Sequence, residues 1–149
     1  MEKKLNVTYS NFDPTTGIST VRIDTKIGIF TGTSTLTEID RPYVSNLAGC
    51  RLAELKATRK YYIALIKRLK LEARGMKQIC DGIETSIKVT NNNDLTPAIK
   101  IAKKNYHKKL KEILMIKQQI KAITSYINYS ITTRDQYLEK RYGAKKDNQ

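Results

Sequence analysis

The segment 97–138 constrains the fold most, because its pattern predicts one long, uninterrupted helix. After Pro97 the next glycine or proline is Gly143. Thr96 can cap free N–H groups with its hydroxyl, and Pro97 lacks an N–H that would go unpaired there. At about 1.5 Å per residue the helix is roughly 60 Å long, so it requires a packing partner. Its predicted seam, with apolar steps of three and four, consists of Tyr106, Leu110, Ile113, Lys117, Ile120, Thr124, Ile127, Ile131, Arg134 and Leu138.

An upstream helix with the same periodicity is the predicted partner. Its seam consists of Leu52, Leu55, Tyr62, Ile66, Leu69, Ala73, Met76, Cys80 and Ile83, interrupted at Arg59. The polar, turn-forming residues 91–94 separate the two helices. Two seams of near-3.5 period joined by a short turn predict an antiparallel helical hairpin with coiled-coil-like packing, occupying residues 41–142 with its loop near 88–96.

The first 40 residues predict a small antiparallel β-meander. Leu5, Val7 and Tyr9 alternate with polar residues, as in a strand with one buried face, and a second strand buries Val21 and Ile23. Residues 13–17, which include Pro14 and Gly17, predict a turn, and residues 27–36, which are rich in β-branched side chains, predict a third strand. Gly28 and Gly32 in that third strand indicate a bend over the helix or a close approach of another backbone or a ligand. Small residues early in the first helix, among them Ala53, would allow the sheet to sit close.

These elements predict an α+β fold, a small N-terminal antiparallel β-meander followed by a long antiparallel helical hairpin. We expect a single domain over residues 1–142 and a flexible tail at 143–149. Apolar residues remain off both seams, so the helices are predicted to associate with further copies, as a dimer or a dimer-built hexamer. The residues left over are Tyr61, Ile63, Leu65, Leu71, Ile101, Leu114, Ile116 and Ile123.

The excess of positive charge lies in the two predicted helices. The formal net charge is +14, from 28 Lys and Arg against 14 Asp and Glu, yet residues 1–50 carry five of each sign. An excess of that size attracts polyanions or phosphate groups. Cys50 and Cys80 lie too far apart on one helix to form a disulfide, so we expect reduced thiols and a cytosolic protein without a membrane span.

The sequence contains no recognisable catalytic set. It lacks a glycine-rich phosphate loop with its lysine, a nucleophile elbow, and carboxylates spaced beside a histidine. No cysteine and histidine cluster has metal-ligand spacing. We therefore expect no enzyme activity, no cofactor and no metal.

Two basic clusters are the candidate binding residues. Lys100, Lys104, Lys108 and Lys111 share one face of the second helix, with Lys103 and His107 on the adjacent face. Lys104, Lys108 and His107 are predicted to hold phosphates, and Asn92 to contact ribose or base. The second cluster is Arg51, Lys56, Arg59 and Lys60, where Arg51 and Arg59 are candidates to line an intersubunit pocket. Tyr126, Tyr129 and Tyr137 either pack or stack on bases, and packing is favoured.

Two functions fit this distribution. One is a small-nucleotide binder with discrete pockets at subunit interfaces, and the other is a DNA- or RNA-binding protein that coats the polyanion. Arginines are few and the clusters lie at opposite ends of the hairpin, which favours pockets. Direct inhibition of a host nuclease is a third alternative.

The order of motifs resembles a family of phage proteins. Gly28 to Gly32 form a Gly-x-x-x-Gly step, Glu38 to Asp40 an acidic step, and Gly49 to Ala57 carry Ala53, Glu54 and Ala57 at the helix start. In this the chain is similar to the phage anti-Thoeris sponges, which capture the cyclic ADP-ribose signal made by bacterial TIR-domain defence enzymes. The resemblance implies sequestration without catalysis, in the host bacterial cytoplasm, by an oligomer with interfacial ligand sites.

The resemblance also suggests which residues bind the ligand. The basic residues early in the family's second helix correspond to Lys104 and Lys108. The family's aromatic residue near the end of the first helix has no counterpart, because Ile79 and Cys80 stand in that region. Either Tyr106 supplies the stacking surface or the ligand differs.

Overall fold

The computed structural model confirms the predicted α+β architecture, a three-stranded antiparallel meander followed by two long packed helices. It describes residues 5–35, 46–91 and 93–146, with side chains described in 5–35, 48–91 and 93–131. The strands are β1 (Asn6–Asp13), β2 (Ile18–Thr25) and β3 (Gly28–Thr35). The helices are α1 (Asn46–Thr90) and α2 (Thr96–Lys146), with a 3-10 turn at Asn93–Leu95 between them.

The chain forms two compact units. The first, here called the sheet unit, comprises Met1–Tyr61 and Ile120–Gln149, and the second, here called the hairpin unit, comprises Tyr62–Gln119. Each helix contributes residues to both units.

The meander has strand order β1-β2-β3, and its first turn is built as the sequence predicts. Gly17 adopts a φ of 75°, and its N–H donates to the Asp13 carbonyl at 2.7 Å. The Thr15 N–H donates to the Asp13 carboxylate at 2.8 Å, and this hydrogen bond lowers the pKa of Asp13. The turn therefore stabilises the β1–β2 hairpin through the charged form of Asp13.

Alternation holds in β2 but fails in β1. Val21 and Ile23 are fully buried and Arg22 is exposed, as predicted. In β1, a bulge between Val7 and Tyr9 places Val7 opposite Ile23 and Tyr9 opposite Arg22. Because one extra residue reverses the faces, Tyr9 lies on the outer side, where the Arg22 guanidinium sits 6.0 Å from its ring centroid. The prediction that Val7 and Tyr9 share a buried face is therefore wrong.

Gly32 is where β3 meets α1. A Cβ built on Gly32 would lie 1.9 Å from the Ala53 carbonyl oxygen and 2.6 Å from the Ala57 nitrogen. Ala53 and Ala57 are fully buried with Val21 and Ile23 in one core cluster. The ring of Phe30 meets Tyr61 edge-on with centroids 5.8 Å apart, and Lys60 donates to the Thr31 carbonyl at 2.8 Å. The small residues Gly32, Ala53 and Ala57 thus allow the backbone of β3 to contact the backbone of α1, as the sequence suggested.

The predicted seam of α1 is confirmed. Every seam position from Leu52 to Ile83 is buried or half-buried, including Arg59. In the hairpin unit, Leu69 and Ala73 form a cluster with Ile113 of α2, against which Leu65, Tyr106 and Ile116 pack. Glu84 of α1 contacts Lys103 of α2, and Glu72, earlier in α1, contacts Lys109, later in α2. The two helices are therefore antiparallel.

The seam of α2 is only half as predicted. Ile113 and Ile127 of the predicted seam are buried, and Tyr106 and Ile120 are half-buried. Ile99, seven residues before Tyr106 and not predicted as a seam residue, is buried too. A second stripe of covered positions lies three residues after these, and the predicted positions four residues after them are only partly covered. Lys109, Ile116 and Ile123 are half-buried. Of the predicted positions, Thr124 is half-buried as well, whereas Leu110, Lys117 and Ile131 are exposed. Ile116, predicted to lie off the seam, packs on the interhelical cluster. Lys109, one heptad earlier, is half-buried and pairs with Glu72.

The helix boundaries differ slightly from the predicted ones. α1 ends at Thr90, and Asn91 follows with a φ of 52°, a left-handed conformation that asparagine tolerates after a helix. α2 begins at Thr96 as predicted but continues through Gly143 to Lys146, into the predicted flexible tail. The side chains of Arg134 and Leu138 fall outside those described. No described helical stretch is apolar enough over the length needed to cross a bilayer.

We expect Gly32→Ala to lower the free energy of unfolding by about 1–3 kcal/mol or more, because the added methyl group forces β3 away from α1. Gly82→Ala is the matched control. A Cβ at Gly82 meets nothing within 4 Å. That variant should gain about 0.5–1 kcal/mol from helix propensity. Urea denaturation followed by circular dichroism measures both. Equal effects of the two substitutions would contradict the close approach at Gly32.

Ser19→Ala tests the one buried side-chain oxygen without a hydrogen-bond partner in the described part of the chain. The Ser19 hydroxyl is fully buried, opposite Ser34 on β3. Removing an unsatisfied hydroxyl relieves its desolvation cost, so we expect stability to rise by about 1 kcal/mol. Thr20→Ala, on the opposite face of the same strand, should bring no such gain. A loss of stability in Ser19→Ala would show that the hydroxyl has a partner.

Candidate functional site

The lysines at the start of α2 fall into two groups, and the first group faces α1. The Lys103 Nζ lies 2.5 Å from a Glu84 oxygen, and the Lys109 Nζ lies 3.1 Å from Glu72 and 3.4 Å from Glu112. The hydrogen bond to Glu84 raises the pKa of Lys103 and lowers the pKa of Glu84. The hydrogen bond to Glu72 likewise raises the pKa of Lys109. These two cations are therefore neutralised within the hairpin unit.

The second group points away from α1 and is not neutralised. Lys104, Lys108 and Lys111 follow one another at helical steps of four and three, on the side of α2 opposite Tyr106 and Lys109. None of the three, nor Lys100, forms an ion pair with a described residue. Like charges held this close repel each other and are relieved by an anion. We call Lys104, Lys108 and Lys111 the outward lysine group.

An open concavity of about 670 Å³ lies among these side chains. That volume falls within the range of small-molecule sites. All of its lining residues belong to α2, so one chain supplies only one wall. They are Ile101, Lys104, Asn105, His107, Lys108 and Lys111. Three ammonium groups, one imidazole, one amide and one exposed isoleucine suit a ligand that carries both phosphates and an apolar ring.

The structure brings together three of the predicted ligand residues and separates the others. Lys104, His107 and Lys108 line the concavity. Lys103 is held by Glu84 instead, and Tyr106 packs against the interhelical cluster rather than facing the concavity. Asn92 lies outside the described residues.

The second basic cluster belongs to the sheet unit. Arg51 is exposed and Arg59 half-buried, and neither forms an ion pair with a described side chain. Tyr126 and Tyr129 are 57% and 67% exposed, so the packing predicted for them is not formed within one chain. The side chain of Tyr137 is beyond the described ones.

Sequence reasoning missed Ile101 and Asn105 as lining residues. Ile101 stands three residues before Lys104, and Asn105 three residues before Lys108. Helical spacing therefore places both on the lysine face. A signal for each was present, but Ile101 was assigned to a subunit interface because apolar residues off a seam usually pack. Among the described side chains no group of three His, Cys, Asp or Glu residues is arranged to hold a metal ion.

No protein-family model, curated protein or solved structure matches the chain.

We expect the Lys103–Glu84 pair to make stability depend on pH at both extremes. Glu84 has a lowered pKa, so its contribution is present above its usual value of 4.5 and is lost as the pH falls through the folded pKa. Lys103 has a raised pKa, so its contribution is lost only as the pH rises beyond 10.5. Wild type should therefore be slightly more stable than Glu84→Gln near neutrality, a small effect for so exposed a pair.

Denaturation at a series of pH values measures the difference, which should shrink as the pH falls below 4.5 and through the lowered pKa of Glu84. Asp81→Asn is the control, since Asp81 is exposed on the same helix and forms no ion pair with a described residue. A Glu84→Gln difference that persists unchanged in acid would contradict the pairing.

Proposed function

We propose that the chain is a non-catalytic phage protein that sequesters a signalling nucleotide of the cyclic ADP-ribose type and so blocks TIR-based immunity. The observation that supports binding is the outward lysine group. Three lysines that form no ion pair with any described side chain line one concavity, while their neighbours Lys103 and Lys109 are paired. Cations left unpaired at helical spacing gain most from a ligand with phosphates. The identity of the nucleotide rests on the family resemblance.

The extent of the basic surface favours a small ligand over a polymer. Beyond Lys111, the positions that continue the outward face of α2 are Met115, Gln118 and Ala122, all neutral. At about 1.5 Å per residue, the outward lysine group spans only about 10 Å. A duplex binder would present cations along a longer face.

The single wall of the concavity supports the expected homo-oligomer. A ligand held only by side chains of α2 would remain exposed on its other side. Small-molecule sites usually bury most of the ligand. A second copy that covers the lysine face would complete the enclosure, in a dimer or a dimer-built hexamer.

Nucleic acid binding is the second candidate, and the exposed Lys117 and Lys121 favour it. They extend positive charge along α2 beyond the concavity, on a chain of net charge +14. In this alternative the protein is a basic DNA- or RNA-binding phage accessory protein.

Lys104→Ala combined with Lys108→Ala should weaken binding of cyclic ADP-ribose by about a hundredfold or more, because two charge-assisted phosphate contacts are lost. Isothermal titration calorimetry measures the affinity. Lys117→Ala with Lys121→Ala is the matched control, since it removes the same charge at the same spacing from the same helix. If both double variants bind equally well, the outward lysine group is not the site.

A salt titration separates the two candidates. A small ligand with two phosphates should lose little affinity between about 50 and 200 mM salt, whereas a polyanion held by many lysines loses several decades. Fluorescence anisotropy with a labelled oligonucleotide gives the second measurement. Tight oligonucleotide binding with a steep salt slope, abolished by Lys117→Ala with Lys121→Ala, would favour nucleic acid.

A further inference from the structure

We propose that Ile101 provides the apolar surface against which the ring of the bound nucleotide lies, so that the site distinguishes a nucleotide from inorganic phosphates. The proposal rests on the proposed function, because it names a further contact of the same site. The outward lysine group by itself would attract any phosphate, so selectivity for a nucleotide needs a further contact.

Ile101 is the apolar element of the concavity. Its side chain is 62% exposed and lines the concavity together with Lys104 and Lys108. An exposed isoleucine among cations gains by covering its surface with an apolar or aromatic group. Lysine side chains add aliphatic stems around it while their ammonium groups reach outward. The lining of the concavity therefore combines an apolar side chain with three cations.

The alternative ring contact, Tyr106, faces the other way. Tyr106 is half-buried and packs against the cluster of Leu69, Ala73 and Ile113. Turning it toward the concavity would remove a side chain from the interhelical seam. Ile101 needs no such rearrangement, because it already lies on the lysine face.

The spacing along α2 suits a nucleotide. Ile101 and Lys108 are seven residues apart, about 10 Å along the helix axis. Lys104 and Asn105 lie between them, one turn from either end. A nucleotide carries its base and its phosphates on opposite sides of a ribose, so it can contact Ile101 at one end and the ammonium groups at the other. The Asn105 amide lies where it can donate to a ribose or base oxygen.

The test compares two probes that each carry two linked phosphates, ADP and inorganic pyrophosphate, by isothermal titration calorimetry on the whole chain. Wild type should bind ADP more tightly than pyrophosphate. Ile101→Ala should weaken ADP binding by about tenfold and leave pyrophosphate binding unchanged, since only the ring contact is lost. Leu114→Ala is the matched control, because Leu114 is an apolar residue of α2 that is 56% exposed and lies outside the concavity.

Three outcomes would overturn the proposal. They are equal affinity of wild type for the two probes, an equal loss for both probes in Ile101→Ala, and an equal loss of ADP binding in Leu114→Ala. Failure of the proposed function has a different signature, because wild type would then also fail to bind cyclic ADP-ribose in the same titration. Circular dichroism of each variant confirms that the fold is retained.

Discussion

The packing of α1 against α2 is the interaction on which the rest of the structure depends. It buries Leu69, Ala73 and Ile113, and its antiparallel direction sets glutamates of α1 beside lysines of α2. Lys103 and Lys109 are neutralised in this way, while lysines on the opposite side of α2 keep an uncompensated charge. The contact that joins the helices thus also decides which cations remain for a ligand.

The residues of α1 that face α2 could be predicted from the apolar periodicity, whereas those of α2 could be predicted only in part. In α1 the predicted seam is buried or half-buried throughout, while apolar residues off it such as Ile63 and Leu71 are exposed. In α2, Leu110, Ile113 and Ile116 offer two adjacent stripes. Periodicity alone does not say which pair of stripes meets the partner. Lys109 on the covered side of α2 pairs with Glu72, which lies 37 residues away in sequence, so local periodicity does not reveal this contact.

The sheet and the candidate site show the same division between local and distant causes. The turn at Gly17 and the need for a small residue at Gly32 follow from local chemistry, whereas the β1 bulge exists only relative to β2. In the site, the spacing of Lys104, His107 and Lys108 followed from helical geometry. The pairing of Lys103 with Glu84 and the inward packing of Tyr106 required knowing how the helices meet.

The contact of Gly32 with Ala53 and Ala57 has a consequence for how such chains diverge. Because strand and helix backbones touch there, a bulkier residue at any of the three positions has no room unless the others compensate. Exposed lysines that lie outside the concavity are under no such packing constraint. Distant relatives of this chain should therefore keep a glycine in the third strand and two small residues one turn apart in the following helix, even where overall sequence similarity has faded. That spacing offers a way to search for them.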